Sequence, residues 1–589
     1  MKLKQNKLTV SRWRYALVMT ALLILPVALI WHIAGLQVLP DVDKGYEFLQ
    51  GKVSKKMVRR EVIPAYRGVI TDRHGEPLAI SSPVVQLVAD PRLVDVNHPK
   101  FSELAEHLSV TSTSLKKRVL RYVKRPYMVL KPRNFLPPAV AEKILAWKIP
   151  GIYGEKTYKR FYPAAEVMSQ IVGITDDKEK GQEGIESSYD STLAGVPGRK
   201  KLLKDRRGNV IKDLGVERNA KPGEAIALSI DMRLQHKAYT ELQDAVVRHQ
   251  ATSGSIVVLD AHTGEILAMA SQPSYNPNDR KKLSSDALNK GARNRAVLDL
   301  FEPGSTVKPF TVLAAMENSK IFAESIIDTN PGYIQVDKKR IKDERNYGEI
   351  GLADLLKKSS NVGAIKLGLA VDPEDMHDLF SRVGFGQVVG TGVAGESPGT
   401  VPVHKKSMRL ERANFAIGYS LNASALQIAQ AYAVLASDGL KRPITLLKTD
   451  KILEGEQVVD AELVTIVRKM MTGVTRKGGT AEKAAIYTYD VAGKTGTAYK
   501  NVVGGYDDKR YVALFAGIVP ADKPRLVTVV IINDPKVGGH TGGQVAGPVY
   551  ANVTERALRV LRVAPKVVVS DRAVALSAKP SPIRFGGDI

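Results

Sequence analysis

Residues 255–270 read SIVVLDAHTGEILAMA, two apolar runs joined by a turn. The runs at 255–260 and 266–270 are short and rich in aliphatic side chains, which is typical of strands. The turn at 261–264 ends in Gly264, and glycine adopts the backbone conformations of tight turns at no steric cost. The stretch therefore predicts a β-hairpin, and the rest of the fold is predicted outward from it.

The elements predicted beyond this hairpin follow a simple order, with helices in the middle of the chain and strands again near its end. Helical patterns lie at 311–317, 352–369 and 423–436, later strands at 512–518 and 526–532, and a closing helix at 547–561. This order fits one sheet built from both ends of a domain, with the helices packed on it.

An uncharged segment near the N-terminus predicts a membrane anchor. Residues 15–39 carry no charged side chain, and about 20 apolar residues are enough for a helix to cross a bilayer. Lysine and arginine dominate residues 1–14, so the positive-inside rule places this end in the cytoplasm and exports the rest. The alternative is a cleaved signal peptide, whose apolar core has only about 7–15 residues. We predict an uncleaved helix in a single-pass protein.

The composition excludes several kinds of site. The 86 Lys and Arg residues outnumber the 61 Asp and Glu residues, and the net charge of +25 fits nucleic acid, an anionic membrane or an acidic polymer as partner. There is no zinc-finger spacing, RNP-like aromatic string or recognition-helix signature, so we expect no nucleic-acid binding. Cysteine is absent, which excludes disulfides, cysteine metal sites and a thiol nucleophile.

A serine and a lysine at helical spacing are the first candidates for catalysis. Ser305 and Lys308 lie in GSTVK, residues 304–308, which opens an apolar helical pattern. Residues three apart share one helix face, so the lysine can serve as base for the serine if burial lowers its pKa. The motif is weak on its own, because a helix start with an exposed lysine also explains it.

Two further motifs carry hydroxyl, amide and ammonium groups. Ser359 and Asn361 enter a helical pattern and suit a proton relay and a clamp on a peptide bond, although an ordinary N-cap is the alternative. The sequence KTGT consists of Lys494, Thr495, Gly496 and Thr497. Its lysine and hydroxyls suit a carboxylate, and its glycine allows a ligand backbone to approach a strand edge. A glycine turn with a surface lysine is the alternative.

Together the three motifs identify a family. Ser-x-x-Lys, Ser-x-Asn and Lys-Thr-Gly, in this order, are shared by class A β-lactamases and penicillin-binding proteins. The exported part resembles a class B penicillin-binding protein over nearly its whole length, because stretches at 67–79, 160–163 and 184–198 also resemble the pedestal motifs of that class. Within these stretches we interpret Asp72, Arg160 and Glu186 as structural pairs.

The resemblance and the chain pattern together predict the domain organisation. The predicted segments are a cytoplasmic tail at 1–14, a transmembrane helix at 15–39, a mixed α/β pedestal (dimerisation-like) domain at 40–222, a transpeptidase domain at 223–564 and a flexible tail at 565–589. The fold class is α+β, and the transpeptidase domain is expected to be an antiparallel sheet covered by helices, with a helical subdomain. The compact pedestal is most similar to the division-specific member of the class, which implies the inner membrane at the septum, with the catalytic domain in the periplasm.

The resemblance also implies a reaction, the cross-linking of peptidoglycan stem peptides. Ser305 would attack the penultimate D-Ala carbonyl, and Lys308 would be the candidate base. Ser359 would pass a proton to the leaving amine, and Asn361 would bond the substrate amide. An amine from a neighbouring stem would then resolve the acyl-enzyme.

The remaining implied roles concern charge and recognition. Lys494 would add positive potential, and Thr495 and Thr497 would lie near the substrate carboxylate. The backbone N–H groups of Ser305 and Thr497 would form the oxyanion hole. A β-lactam would acylate the same serine, no metal or organic cofactor is expected, and the polymerase FtsW and other divisome membrane proteins are the expected partners.

Several alternatives stay open at this point. An elongation-specific transpeptidase of the same class and a D,D-carboxypeptidase would carry the same motifs. A class A β-lactamase is disfavoured, because no glutamate after Asn361 lies in a Glu-x-x-Leu-Asn motif. A catalytically weak divisome scaffold or β-lactam sensor is the alternative outside enzymology.

Overall fold

The computed structural model describes residues 11–38, 58–204, 210–502 and 505–566. Most of the predicted cytoplasmic tail, residues 1–10, and most of the predicted flexible tail, residues 567–589, lie outside these ranges. The described residues form two compact units. One consists of those up to Tyr66 together with 195–222, and the other consists of 67–194 and those from Gly223 onward.

The helices of the described residues are, in chain order, α1 (Arg12–Val38), α2 (Phe101–His107), α3 (Ser112–Arg121), α4 (Pro138–Leu145), α5 (Ser169–Val172), α6 (Gly184–Ser188), α7 (Asp190–Leu193), α8 (Met232–Arg248), α9 (Ser285–Ala292), α10 (Arg295–Leu298), α11 (Lys308–Asn318), α12 (Leu352–Lys358), α13 (Asn361–Ala370), α14 (Pro373–Arg382), α15 (Arg409–Ala416), α16 (Ala425–Ala436), α17 (Ala461–Met471) and α18 (Gly542–Val560). Short 3₁₀ turns lie at Ala165–Val167, Pro277–Lys282, Gly304–Val307, Thr472–Val474 and Glu482–Ala484.

The strands of the same residues are β1 (Val58–Ile63), β2 (Ile70–Thr71), β3 (Pro77–Ala89), β4 (Met128–Val129), β5 (Ile152–Phe161), β6 (Gly198–Lys204), β7 (Val210–Arg218), β8 (Ile226–Ala227), β9 (Ser253–Asp260), β10 (Ile266–Gln272), β11 (Ile326–Asp328), β12 (Tyr333–Val336), β13 (Lys339–Lys342), β14 (Glu349–Gly351), β15 (Leu440–Lys441), β16 (Glu456–Gln457), β17 (Ala492–Val502), β18 (Gly505–Val519) and β19 (Leu526–Asn533).

The first unit contains the predicted membrane anchor and a small sheet. The segment Arg12–Gly35 of α1 is helical, and it is long and apolar enough to cross a membrane. Pro26 lies inside this helix, as expected for a proline that a spanning segment tolerates. Strands β1, β6 and β7 form an antiparallel sheet in that order.

The second unit begins with a mixed sheet held by a buried ion cluster. Strands β4, β3, β2 and β8 are neighbours in that order, and β5 pairs with β3 along most of its length. Glu186 is fully buried and accepts from Arg67 Nε at 2.5 Å and from Arg160 Nε at 2.6 Å. The structural role predicted for Arg160 and Glu186 is therefore confirmed, with Arg67 as their third member.

The contacts of Asp72 differ from the structural pair that was predicted for it. Its carboxylate accepts from the backbone N–H groups of His74 and Glu76, at 2.8 and 2.9 Å, and from that of Met232 at 3.3 Å. Asp72 therefore closes a turn and links it to the start of α8, a role that the interpretation as a pair did not foresee.

The predicted sheet is the centre of the second unit. Its strands run β10-β9-β19-β18-β17, and every neighbouring pair is antiparallel. Successive side chains of a strand face opposite sides, so Val257 and Leu259 enter the core shared with α11 and α16. Ile256 and Val258 enter the core shared with α8 and α18. The hairpin at 255–270 and the later strands are thus confirmed as one sheet covered by helices.

Two predicted helices have different bounds in the structure. The apolar pattern at 352–369 predicted one helix, but α12 ends at Lys358 and α13 starts at Asn361, because Ser359 has a left-handed backbone with φ of 58°. The apolar period continues through the break and hides it. The last helix starts at Gly542 instead of 547, although glycine pairs disfavour helices.

Candidate active site

The first motif forms a tight turn before a buried helix. Gly304–Val307 is a 3₁₀ turn and Lys308 opens α11. In a 3₁₀ turn, residues three apart are eclipsed, so Ser305 and Lys308 lie on one side. Tyr432, fully buried, donates its hydroxyl proton to the Thr306 carbonyl at 2.8 Å and so fixes this turn. Ser305 remains partly exposed, which keeps the hydroxyl accessible.

Lys308 reaches from this turn to the second motif. Its side chain is fully buried, and Nζ donates to Ser359 O at 2.6 Å, to Ser359 Oγ at 3.2 Å and to Asn361 Oδ1 at 2.8 Å. The Ser305 hydroxyl is not among these acceptors. Burial lowers the pKa of Lys308 to about 7, against the opposing charge of Asp343. Lys308 is therefore able to be a neutral amine near neutral pH.

The second motif lies in the break between α12 and α13. The left-handed conformation of Ser359 is rare for a residue with a side chain, and such strain persists only where its surroundings impose it. It turns the Ser359 hydroxyl toward both Lys308 and Lys494. Ser360 caps α13 by accepting from Gly363 N at 3.0 Å, so the predicted N-cap and the polar cluster are both present.

Asp343 lies outside the three sequence motifs and stabilises the break between α12 and α13 through hydrogen bonds. Its carboxylate accepts from Ser360 Oγ at 2.6 Å, from Val362 N at 3.0 Å and from Asn361 N. The residue follows a short, basic strand, β13, and resembles the exposed acidic residues around it in sequence, such as Glu344. Its role arises from a contact formed on folding, for which the chain carries no local signal.

Asn361 is fixed on both sides of its amide. Its Oδ1 accepts from Lys308, and its Nδ2 donates to Lys342 O at 3.0 Å. An amide nitrogen carries two hydrogens, so one remains for a ligand.

The third motif lies on an edge strand. β17 is the last strand of the sheet, so one of its edges has no strand partner within the described residues. Such an edge can pair with an extended peptide. Lys494 on this strand is fully buried, and its Nζ donates to Ser359 Oγ at 2.9 Å and to Thr495 O at 3.2 Å. Burial, together with the charge of Lys308, holds the pKa of Lys494 well below its ordinary value.

The remaining residues of this motif contact segments that lie outside it. Thr495 Oγ1 lies 2.9 Å from Thr480 Oγ1, and Thr497 Oγ1 accepts from Gly542 N at 3.1 Å. A Cβ at Gly496 would lie 2.7 Å from the Pro303 carbonyl oxygen. Glycine at this position thus leaves room for the 3₁₀ turn Gly304–Val307, which carries Ser305 and is called the nucleophile turn below. The predicted role of this glycine concerned the approach of a ligand only.

The structure therefore brings the three motifs together. Lys308, Ser359, Asn361 and Lys494 are joined by hydrogen bonds, and the turn that carries Ser305 packs on β17 beside Gly496. A serine on a turn that packs next to lysines of lowered pKa is suited to nucleophilic acyl transfer. In the part of the chain that the structure describes, no three His, Asp or Glu side chains are grouped to hold a metal ion.

Two family models match the chain. The Penicillin binding protein transpeptidase domain matches residues 254–555, and the Penicillin-binding Protein dimerisation domain matches residues 62–228. These matches cover the central sheet and all three motifs in one case, and the mixed sheet with its buried ion cluster in the other.

Individual proteins are similar over most of the chain. Peptidoglycan D,D-transpeptidase FtsI of Escherichia coli is 38% identical over 95% of this chain and 93% of its own length. Probable peptidoglycan D,D-transpeptidase PbpC of Pseudomonas aeruginosa is 34% identical over 96% and 98%. The structure of penicillin-binding protein 3 from Mycobacterium tuberculosis, complexed with aztreonam, has a TM-score of 0.66 at 27% identity and covers 86% of this chain and 98% of its own.

Proposed function

The chain belongs to the class B penicillin-binding proteins and is a peptidoglycan D,D-transpeptidase, and we propose that it works through an acyl-enzyme on Ser305. The observation that carries this proposal is the hydrogen-bonded group of Lys308, Ser359, Asn361 and Lys494 beside the Ser305 turn. Its substrate is the peptidoglycan stem peptide, and β-lactams bind the same site.

Acylation begins with Lys308 as the base. At a pKa of about 7, a large fraction of this side chain is neutral at neutral pH. The neutral amine accepts the proton of Ser305 as Oγ attacks the penultimate D-Ala carbonyl. In the structure Lys308 Nζ donates to the second motif, so a change of its rotamer or of its protonation is needed to free its lone pair for Ser305.

The proton then passes to the leaving amine. Ser359 Oγ lies within hydrogen-bond distance of both Lys308 and Lys494. It can therefore give its own proton to the departing D-Ala nitrogen and take one from a lysine. In its protonated form Lys494 adds positive potential, which stabilises a substrate carboxylate.

Substrate recognition is assigned to β17 and the start of the nucleophile turn. A Cβ at Gly304 would lie 3.8 Å from Thr497 N, which supports an oxyanion hole formed by the backbone N–H groups of Ser305 and Thr497. Asn361 bonds the substrate amide. The hydroxyls of Thr495 and Thr497, next to Gly496, bind the terminal carboxylate.

The acyl-enzyme is resolved by an amine of a neighbouring stem peptide. The amine nitrogen attacks the Ser305 ester carbonyl and gives up a proton to the neutral Lys308. The ester bond breaks, and Lys308 passes this proton to the serine oxygen. A β-lactam follows the first half of this course and leaves its opened ring on Ser305.

We also propose the predicted domain organisation and location. The tail 1–14 lies in the cytoplasm, the helix 15–39 crosses the inner membrane once, the pedestal at 40–222 and the transpeptidase domain at 223–564 are periplasmic, and the tail follows at 565–589. The apolar α1 and the cations before it support this orientation. The similarity to FtsI supports the division septum, with the polymerase FtsW and other divisome membrane proteins as partners.

The nucleophile is tested by covalent labelling. We expect fluorescent penicillin to label the full-length protein in detergent and Ser305→Ala to abolish the label, because the ester cannot form. Ser285→Ala, which changes an exposed serine of α9, should label normally. Persistent labelling of Ser305→Ala would refute the assignment.

The location is tested by two reporters. A periplasm-active reporter fused after residue 566 should be active, and one fused to the N-terminus should not. A fluorescent fusion should concentrate at midcell. Labelling of the side wall alone would favour an elongation-specific transpeptidase.

A further inference from the structure

A pair of threonine hydroxyls connects the third motif to a loop outside all three motifs. Thr480 lies between the 3₁₀ turns Thr472–Val474 and Glu482–Ala484, and its Oγ1 is 2.9 Å from Thr495 Oγ1. Lys494 Nζ is 3.4 Å from the same Thr495 oxygen. Thr480 thus joins the polar network of the site from an element that the motifs do not include.

The direction of one proton decides what Thr495 offers a ligand. A hydroxyl has one proton to donate and two lone pairs that accept. The N–H groups of Lys494 occupy one lone pair of the Thr495 oxygen. If Thr480 donates to the other, the proton of Thr495 is available to an anion. If Thr495 donates to Thr480, that proton is already used.

Thr497 has the same arrangement with its direction fixed. The backbone N–H of Gly542 donates to Thr497 Oγ1 at 3.1 Å, and a backbone N–H cannot accept. The Thr497 proton is therefore left for another acceptor. Thr495 and Thr497 are two positions apart on β17, so their side chains share one face of the strand.

We propose that Thr480 is a positioning residue for substrate recognition: it donates to Thr495, which then presents its own proton to the terminal carboxylate of the stem peptide. This inference rests on the proposed function, in which Thr495 and Thr497 bind that carboxylate. Thr480 acts on Thr495 as Gly542 acts on Thr497. The two hydroxyls then offer one donor to each oxygen of the carboxylate, and hydrogen bonds to an ionised acceptor are stronger than those to a neutral one.

The loop that carries Thr480 is held in place from two sides. A Cβ at Gly543 would lie 2.1 Å from the Thr480 carbonyl oxygen, so the start of α18 packs directly on this residue. Lys358, at the end of α12, donates to the Gly478 carbonyl at 2.7 Å. A donor held by its backbone in this way loses little freedom when a ligand binds.

The test compares a β-lactam that has a carboxylate with one that lacks it. The second-order rate constant of acylation is measured on the full-length protein for benzylpenicillin and for its methyl ester. We expect Thr480→Val to lower the constant for the acid by about three- to tenfold, the loss expected for the neutral hydrogen bond that orients the Thr495 hydroxyl toward the carboxylate. The constant for the ester should stay unchanged, because the ester has no carboxylate for Thr495 to bind. Thr480→Ser should restore the wild-type ratio of acid to ester.

A matched control lies in the 3₁₀ turn that precedes this loop. Thr472 donates to the Lys469 carbonyl at 2.8 Å, and Thr472→Val should leave the ratio of acid to ester unchanged. An equal loss for acid and ester, or no loss, in Thr480→Val overturns the inference. If this variant does not fold, Thr480→Ala and Thr480→Ser are compared, and equal ratios overturn it. A wild-type protein that benzylpenicillin does not acylate refutes the proposed function instead.

Discussion

At the scale of single residues, two buried lysines meet at one hydroxyl. Lys308 and Lys494 are both fully buried, and each donates to Ser359 Oγ, at 3.2 and 2.9 Å. Desolvation lowers the pKa values of both lysines, and the charge of Lys308 lowers that of Lys494 further. In the proposed mechanism, the pair supplies both a base for Ser305 and a proton path through Ser359.

The pKa of Lys308 predicts the pH dependence of acylation. Only the neutral amine accepts a proton, so the rate constant should rise with pH up to about 7 and then level off. It is measured with fluorescent penicillin between pH 5 and 9. Lys308→Arg should be inactive throughout, because a guanidinium does not lose its proton in this range. A rate constant that is the same at pH 5.5 and 8 would contradict Lys308 as the base.

Asp343 predicts a loss of both stability and acylation. Asp343→Ala leaves the Ser360 hydroxyl and two backbone N–H groups without their acceptor, which should cost about 1–3 kcal/mol of stability. The displaced Ser359 and Asn361 should slow acylation about tenfold or more. Denaturation and labelling measure the two effects, with the exposed Asp354→Ala as control. In Asp343→Asn the midpoint of the pH profile should move down, because the charge that raises the pKa of Lys308 is lost.

At the scale of elements, the site depends on how closely the nucleophile turn approaches an edge strand. The 3₁₀ turn Gly304–Val307 packs on β17, and the break between α12 and α13 supplies the facing groups. Each element contributes residues from a terminus or an edge, where backbone groups are not used up by regular pairing.

Because the turn lies so close to the strand, one added methyl group at Gly496 should have a large effect on the acylation rate constant. A Cβ in Gly496→Ala would lie 2.7 Å from the Pro303 carbonyl oxygen and 3.0 Å from Thr306 Cγ2, so the turn must move away from the strand. A displacement on the order of 1 Å can cost about 10²-fold in rate, and acylation should fall accordingly while the protein stays folded. Gly351→Ala, where nothing lies within 4 Å of the added Cβ, should acylate normally. Equal rate constants for the two variants would show that the close approach is not required.

At the scale of the whole molecule, two buried features have separate tasks. The lysine cluster around Ser359 belongs to the proposed active site, and the cluster of Arg67, Arg160 and Glu186 joins the mixed sheet to the helix α6. Both bury several charged groups, but only in the second do cations pair with carboxylates: Glu186 contacts both arginines, and Asp190 accepts from Arg67 Nη1 at 2.7 Å. The three residues of this cluster come from the three stretches that resemble the pedestal motifs, at 67–79, 160–163 and 184–198. A structural contact therefore holds these stretches together.

The buried ion cluster predicts a loss of stability without a loss of chemistry. Glu186→Ala leaves two buried guanidinium groups without their shared carboxylate, and breaking such a pair costs about 3–5 kcal/mol. The midpoint of thermal unfolding should fall, while the acylation rate constant of the folded fraction stays unchanged. Glu555→Ala breaks an exposed pair with Arg559 and should cost less than about 1 kcal/mol. A similar midpoint for both variants would contradict the role of Glu186.

The sequence by itself determined the features that depend on residues close together in the chain. The strands of the central sheet, the membrane-spanning segment and the residues Ser305, Lys308, Ser359, Asn361 and Lys494 all follow from local periodicity or from short motifs. Periodicity did not predict the helix break at Ser359, because one left-handed residue leaves the apolar pattern of the two flanking helices intact.

Only the tertiary structure decided which of these groups meet and what holds them. Asp343, Thr480 and Gly542 contact the motifs from distant parts of the chain, and their own neighbours in sequence do not mark them. The lowered pKa values of Lys308 and Lys494 likewise arise from burial, which is a property of the packed protein. A contact or a desolvated charge exists only once remote segments fold together, and for that reason no local pattern encodes it.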